Sequence, residues 1–383
     1  MLGTLARASV KLVVAAVLFL GTLEVYLAVF PDTLPPRLGN YAFSKYGAFP
    51  GGMYFHDPVT EMNFLKPDFE TEAYFNGYRW HHRADSLGFR NPPRLEEREV
   101  LLLGDSLIYG HGVEEVETTG HYLRSEHGIA AYNMARQGDC VYQSYVLLRL
   151  HARDLGPTDV VLFVFLNDFH DVTFYRDRRL IEARPEADWD YEAMRRRLAE
   201  IEGQQTLHPR LLLGLASTRL LRGIAQSPPT LGLVRSAEAS TREQGPRPTR
   251  ALPGATDPID LPYLEALLDP SLFARVAAYY EATLRDLSRR SSDAGSRLTV
   301  VHLAIDDRVD ERWRAATERL SAFLAGTCQR SEIRYFTTEG LFTGCDDCFL
   351  PGDGHLSPAG HRRLAAWLAA RLGDSVAVAS APP

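Results

Sequence analysis

Only three of the 42 basic residues are lysine (Lys11, Lys45 and Lys66), an imbalance that reads as coding bias before it reads as function. Four cysteines in 383 residues exclude a fold held together by a disulfide framework. The net charge of -7 is the wrong sign for a chain whose main partner is nucleic acid, because phosphate binding needs a concentrated basic face. Cys345-Asp-Asp-Cys348 has the spacing of half a zinc site, but no second Cys or His pair stands at ligand spacing. Neither a metal nor an organic cofactor is therefore expected. Asp105 and Asp168 have no His or Cys cluster beside them and read as turn-capping residues, not as a metal site or an acid–base pair.

What the chain has in quantity is apolar sequence, 45% of its residues, enough over this length to bury a sizeable core. Leu12 to Phe30 is an apolar run broken only by Glu24. At about 1.5 Å per residue it reaches roughly 28 Å, one membrane crossing. Arg7 and Lys11 precede it, and no small-x-small cleavage site stands before Pro31, so residues 1–31 read as a cytoplasmic N-terminus with an uncleaved signal anchor. Everything after Pro31 then lies outside, in a periplasmic or extracellular compartment. Glu24 is costly in lipid and marks either a partner helix or a side chain snorkelling to the interface. Residues 32–97 are rich in Pro, Gly and aromatic side chains and predict a decorated lead-in with one short hairpin.

From residue 98 the pattern alternates between strand and helix. Leu101–Leu103, Ala130–Met134, Asp159–Leu166, Leu298–Leu303 and Ile333–Phe336 read as strands; the third is a continuous apolar run, as expected when both faces of a sheet are covered. Helices are expected at 117–127, 141–154, 270–290, 310–327 and 358–372. The order predicts a three-layer α/β/α, five-stranded parallel sheet over 98–372, preceded by one transmembrane helix. An insertion of about 176–261 interrupts it, with helices near 190–202 and 208–225 and a Pro, Gly, Ser and Thr-rich loop from Gln226 to Pro258. The stretch Leu211–Leu221 is apolar enough for a lid or membrane-surface helix. Residues 373–383 read as a disordered tail.

Gly104-Asp105-Ser106 follows the first of those strands, where open α/β sheets bind ligands and where a helix N-terminus favours an anion. Asn133 and Gly138 follow the second strand, Asn167-Asp168 ends the third, and Asp353-Gly-His355 lies near the C-terminus. This ordered set resembles the SGNH (GDSL-type) hydrolases, whose four sequence blocks supply Ser, Gly, Asn and His. The piece Ala84-Asp-Ser-Leu-Gly-Phe-Arg90 looks like the lead that precedes the serine block in membrane-anchored bacterial members. The resemblance covers about residues 97–371 and implies a flavodoxin-like SGNH hydrolase fold. Two positions depart from the family pattern. Three residues before the histidine stands Gly352, with Asp353 only two before, and Phe165 stands where the third block usually has glycine.

Acyl transfer needs an activated hydroxyl, a base, a group to orient the base and donors for the developing oxyanion. The resemblance implies Ser106 as nucleophile, His355 as base and Asp353 as orienting acid, with Asp346 or Asp347 as substitutes. Oxyanion donors would be the backbone N–H groups of Ser106 and Gly138 and the side-chain amide of Asn167. His361 and His111 are further candidates to line the cleft, although His361 reads first as a surface residue of the closing helix and His111 as a loop residue. Cys345 and Cys348 are placed to pair with each other in an oxidising compartment, with Cys140 as the competing partner and Cys328 at the far end of the sheet. The expected function is a membrane-anchored, extracytoplasmic esterase acting on an acyl ester, for instance an O-acylated envelope glycan or lipid. The alternatives are O-acyl transfer to an envelope polysaccharide and a non-catalytic, anchored glycan-binding module. The sequence leaves the oligomeric state open.

Overall fold

The computed structural model describes residues 2–49, 51–59, 62–93, 95, 98–175, 190–203, 214–226, 262–305 and 311–379. They divide into two compact units: 1–55, 72–80 and 198–248 in one, and 56–71, 81–197 and 249–383 in the other.

The first unit begins with helix α1 (Leu2–Val29), which stops ahead of Pro31, a residue that disfavours helical geometry in its predecessor. Its segment Ser9–Val29 has a mean hydropathy of 2.3 and is long and apolar enough to cross a membrane. Helix α2 (Pro36–Phe43) starts with proline in its first turn, where a missing N–H costs nothing. Strands β1 (Tyr54–Asp57) and β2 (Met62–Leu65) pair with each other, as do β3 (Glu70–Phe75) and β4 (Tyr78–Arg83). Two short hairpins thus stand where one was expected. The second turns on Asn76-Gly77, both at positive φ (49° and 92°), a two-residue turn whose twist matches the strands it joins. In the first unit the aromatic residues pack locally: the Arg79 guanidinium lies 5.0 Å from the ring centres of both Phe43 and Tyr74.

The second unit is built on β5 (Val100–Leu103), β6 (Ala131–Asn133), β7 (Asp159–Val164), β8 (Arg297–His302) and β9 (Arg334–Thr337). All are parallel, in the order β6-β5-β7-β8-β9. Every residue of β5 and β7 is buried, which is why these strands are unbroken apolar runs. The helices between them are α3 (Ser106–Tyr109), α4 (Thr119–His127), α5 (Val141–Leu155) and α6 (Leu166–Asp171). Next in chain order come α7 (Tyr191–Gly203), shared between the two units, and α8 (Ala216–Gln226), which belongs to the first; the second unit continues with α9 (Pro262–Leu268), α10 (Pro270–Asp293), α11 (Glu311–Arg330) and α12 (Pro358–Ala379). Helices α4 and α12 pack together, as do α5 and α10. With right-handed crossovers and a reversal of the strand order at β5, the first pair covers one face of the sheet and α5, α10 and α11 the other. This is the three-layer, flavodoxin-like fold expected from the sequence.

The boundaries differ in several places. Helices α7 and α8 fall inside the insertion of 176–261, and Gln226, expected to open a loop running to Pro258, is the last residue of α8; 176–189, 204–213 and 227–258 lie outside the described residues. The strand expected over 159–166 ends at Val164, and Leu166 opens α6. The helix expected from residue 117 starts at Thr119, because Thr118 caps it and the preceding turn is a separate 3-10 helix, Glu115–Glu117. The tail expected to be disordered from Gly373 is instead helical as far as Ala379. One glycine costs only about 1 kcal/mol in a helix, and no proline interrupts the run before Pro382. Residues 380–383 lie outside the described residues.

Candidate active site

The sheet order reverses beside β5, and an open crevice forms at the carboxyl end of such a strand. Gly104 leaves the strand with φ 154°; a Cβ there would press on Ile108 and Phe163 at 3.2 Å. Asp105 caps the next helix, its Oδ1 accepting from the Leu107 N–H at 2.9 Å. Ser106 is thereby held as the first residue of α3, with its hydroxyl in the crevice.

His355 arrives on the loop between β9 and α12. That loop is folded on itself: Cys345 and Cys348 form a disulfide, Phe349 bridges to Leu356, and the N–H groups of Leu350 and Asp353 donate to the carbonyls of His355 (2.8 Å) and Leu350 (2.9 Å). The result brings three side chains into line. The Ser106 hydroxyl donates to His355 Nε2 over 2.8 Å, and His355 Nδ1–H donates to Oδ1 of the buried Asp353. The tautomer follows from the network, since a carboxylate on Nδ1 leaves Nε2 as the acceptor. The shift of the acid from position 352 to 353 is absorbed by a tight turn in which the His355 N–H also donates to Asp353 Oδ1 at 3.3 Å. Asp346 and Asp347 are exposed on the disulfide loop, and Asp353 is the carboxylate that meets the imidazole.

Gly138 follows β6 at φ 72°, and a Cβ there would meet open space. Asn167 stands in the first turn of α6, and its amide donates to Asp171 Oδ2 at 3.3 Å. Phe165, in the place of the family glycine, caps α6 through its backbone: its N–H donates to Asp168 Oδ2 at 2.8 Å. Its ring lies 5.9 Å from that of Trp313. Burial pushes Asp105 up to about 6 and Asp168 well above the ordinary carboxylate range, the latter also because Asp105 faces it. Asp139 is raised to about 6 by burial although Arg136 grips it with two bonds of 2.7 and 2.9 Å.

Of the two further histidines, His111 is the loop residue expected and lines the cleft, while His361 is not on the surface. His111 is buried: its ring stacks on that of His355, with centroids 4.2 Å apart and planes 14° apart. Arg90, itself buried, holds that loop by donating to the carbonyls of Gly110 (2.7 Å), Val113 (2.5 Å) and His81 (3.2 Å). His361 is not on the surface of the closing helix. It is buried, with Nδ1 accepting from the Thr119 N–H at 3.2 Å and the Thr119 hydroxyl at 2.9 Å, so its ring ties α12 to α4. Burial keeps both neutral, pushing His361 down to about 3 and His111 well below the usual imidazole range; the charge of His355 adds to the effect on each.

The ligand atoms of His111, Asp353 and His355 lie within 4.8 Å of one another. Parallel rings direct their nitrogen lone pairs side by side instead of towards one point, and Asp353 already accepts from Nδ1–H. The set suits proton transfer better than metal binding. Cys345 and Cys348, being disulfide-bonded, offer no thiolates for zinc. The pairing is the local one expected, and Cys140 and Cys328 are both free and buried.

No family model matches the chain, and no curated protein matches it. Solved structures do. The chain is similar to TesA (12% identical, covering 70% of this chain and 96% of that one, TM-score 0.37). It is likewise similar to the psychrotrophic esterase EstA from Pseudoalteromonas sp. (10% identical, 72% and 98% covered, TM-score 0.38). A third is the extracellular lipase from Streptomyces rimosus (12% identical, 71% and 98% covered, TM-score 0.36). At such identities and TM-scores, activity and substrate have to be argued from this chain's own residues.

Proposed function

We propose that the chain is a membrane-anchored serine esterase of the SGNH type, a hydrolase of acyl esters on the extracytoplasmic side. The observation that carries this reading is the Ser106–His355–Asp353 line of hydrogen bonds at the reversal point of the sheet. In this mechanism His355 Nε2 takes the Ser106 proton as Oγ attacks the ester carbonyl carbon. The resulting oxyanion accepts from the N–H groups of Ser106 and Gly138 and from the Asn167 amide. His355 returns the proton to the departing alcohol, leaving an acyl-serine, and then draws a proton from the water that releases the acid. Asp353 keeps Nδ1 protonated and stabilises the imidazolium formed in each half-reaction.

The compartment follows from two features. Arg7 and Lys11 ahead of the apolar helix favour a cytoplasmic N-terminus, and the Cys345–Cys348 disulfide suits an oxidising exterior. An O-acylated envelope glycan or lipid is the substrate class within reach of such an anchored enzyme. The test is incubation of the full chain with short-chain aryl esters and O-acetylated glycans, with and without an acceptor sugar. Release of free acid without the acceptor is the expected result. Acyl transfer that strictly requires the acceptor would replace hydrolysis with O-acyl transfer. Saturable glycan binding with no turnover of any ester would leave only a binding module.

A further inference from the structure

Glu24 is the one charged residue in the apolar run Leu12–Phe30. Its carboxylate accepts from the N–H groups of Ala216 (3.0 Å) and Ser217 (2.8 Å), the first two residues of α8. The first N–H groups of a helix have no partner within it and carry the positive end of its dipole, so a carboxylate supplied by another helix satisfies both. This is the partner that a carboxylate in an apolar span requires. The contact continues along α1, where Leu27, Ala42 and Leu220 form a buried cluster with Leu23 and Ala216 packed against it. Ala216 is thus level with Leu23 and Glu24, and Leu220 with Leu27.

Those contacts fix the depth of α8. Glu24, and with it Ala216, lies five residues before Val29, the end of the span, or about 7.5 Å inside it at 1.5 Å per residue. With Leu220 level with Leu27, α8 runs alongside α1 towards that end, so Leu221 and Ile224 come level with the last residues of the span, where acyl chains give way to headgroups. The flank of α8 beside the cluster is apolar and open: Leu221 is 39% and Ile224 42% exposed, three residues apart on one stripe. Exposed Arg222 flanks that stripe, while Arg219 turns inward and donates to the Ala42 carbonyl at 3.1 Å. On α1, Val25, Tyr26, Val29 and Phe30 are exposed over the same depth.

We propose that α8 is an interfacial membrane helix, held to α1 by Glu24, with Leu221 and Ile224 seated in the headgroup–acyl boundary of the bilayer that α1 crosses. The proposal rests on the anchor reading of α1. Arg222 then reaches the lipid phosphates, and Glu24 crosses the apolar boundary with its charge already satisfied.

The test uses the full chain in phosphatidylcholine–phosphatidylglycerol nanodiscs, labelled with an environment-sensitive fluorophore at Leu18→Cys, Leu221→Cys or Ile224→Cys. The labelled parent chain reports any background from the buried Cys140 and Cys328. Lipid-borne quenchers are placed at the headgroup or deep in the acyl chain. Loss of fluorescence at 221 and 224 with the shallow quencher and at 18 with the deep one is the expected result. Quenching at 18, with water-like emission at 221 and 224 that neither lipid quencher reaches, would overturn the interfacial helix and leave the anchor standing. No quenching at 18 would overturn both. Blue-shifted emission at 221 and 224 that no lipid quencher reaches would mean that protein covers the stripe, and would overturn the proposal.

Discussion

The imidazole of His111 lies flat on that of His355, 4.2 Å away and 14° from parallel, on the ring whose two nitrogens are taken up by Ser106 and Asp353. A neutral ring face beside a cation contributes about 0.5–2 kcal/mol, so the stack favours the imidazolium through which an acyl transfer must pass. His111→Ala is expected to lower kcat by roughly 2- to 30-fold with KM little changed, and His111→Phe, which keeps a flat ring, to restore most of it. Equal losses in both variants would show that the ring face has no such role. Steady-state kinetics on an aryl ester measure it.

The loop that carries His355 is pinned at its base by the Cys345–Cys348 bond, and Ser357 ties the far side back by donating its N–H to the Cys348 carbonyl at 3.0 Å. A base displaced by about 1 Å can cost up to about 100-fold in rate. Reductant should therefore slow turnover, and the Cys345→Ser, Cys348→Ser double variant should be slow from the start and indifferent to reductant. Continued sensitivity in that variant would place the redox effect elsewhere.

Stability should fall as pH drops from about 6.5 towards 4. Burial pushes His82, His151 and His361 down to about 3, His302 to about 4 and His111 well below its usual range. Each is neutral when folded but protonated in the unfolded chain below pH 6.5, so each makes stability rise with pH by up to about 1.4 kcal/mol per unit across that window. Asp105 and Asp139, raised to about 6, and Asp85 and Asp168, also raised by burial, act in the opposite sense above about pH 4, because the folded chain there holds protons that the unfolded chain has lost. The five histidines outnumber the four acids, and the net slope should be positive. Denaturant midpoints measured from pH 7 to pH 5 check the sign; a midpoint that rises on acidification would contradict it.

The architecture was legible because a parallel sheet covered on both faces writes itself into sequence as apolar runs. Asp159–Val164 is buried at every position, and its span was readable within two residues. The places of Ser106 and Asn167 were legible because each stands where such a run gives way to a helix, and that of His355 because Asp-Gly-His leads into the closing helix; their roles are what the family resemblance implies. What was not legible depends on contacts between distant segments. His111 looks like any loop histidine until the chain brings His355 onto its face, and His361 until α12 docks on Thr119. The partner of Glu24 lies on a helix 192 residues away. The second hairpin is different: Asn76-Gly77 is a strong local turn signal, passed over because the aromatic residues around it show no clean alternation.

Asp353→Asn tests the shortened spacing between acid and base. If this carboxylate holds the imidazole tautomer, the amide should cost on the order of 10⁴-fold in kcat, the scale for losing that role. Asn167→Ala should be milder, on the order of 100- to 1000-fold, as for a single oxyanion donor. A small loss for Asp353→Asn would move the orienting role to another group, and a neutral Asn167→Ala would remove its amide from the oxyanion site.

Covalent labelling addresses the nucleophile itself. A serine-reactive phosphonate incubated with the native chain, followed by digestion and mass spectrometry, should place the adduct on Ser106, and labelling should fail in His355→Ala. Aryl-ester turnover in Ser106→Ala, His355→Ala and the double variant should fall by several orders of magnitude to nearly the same floor, since residues acting as a unit do not lose activity additively. Ester turnover in Ser106→Ala undiminished from that of the native chain would contradict the account at its centre.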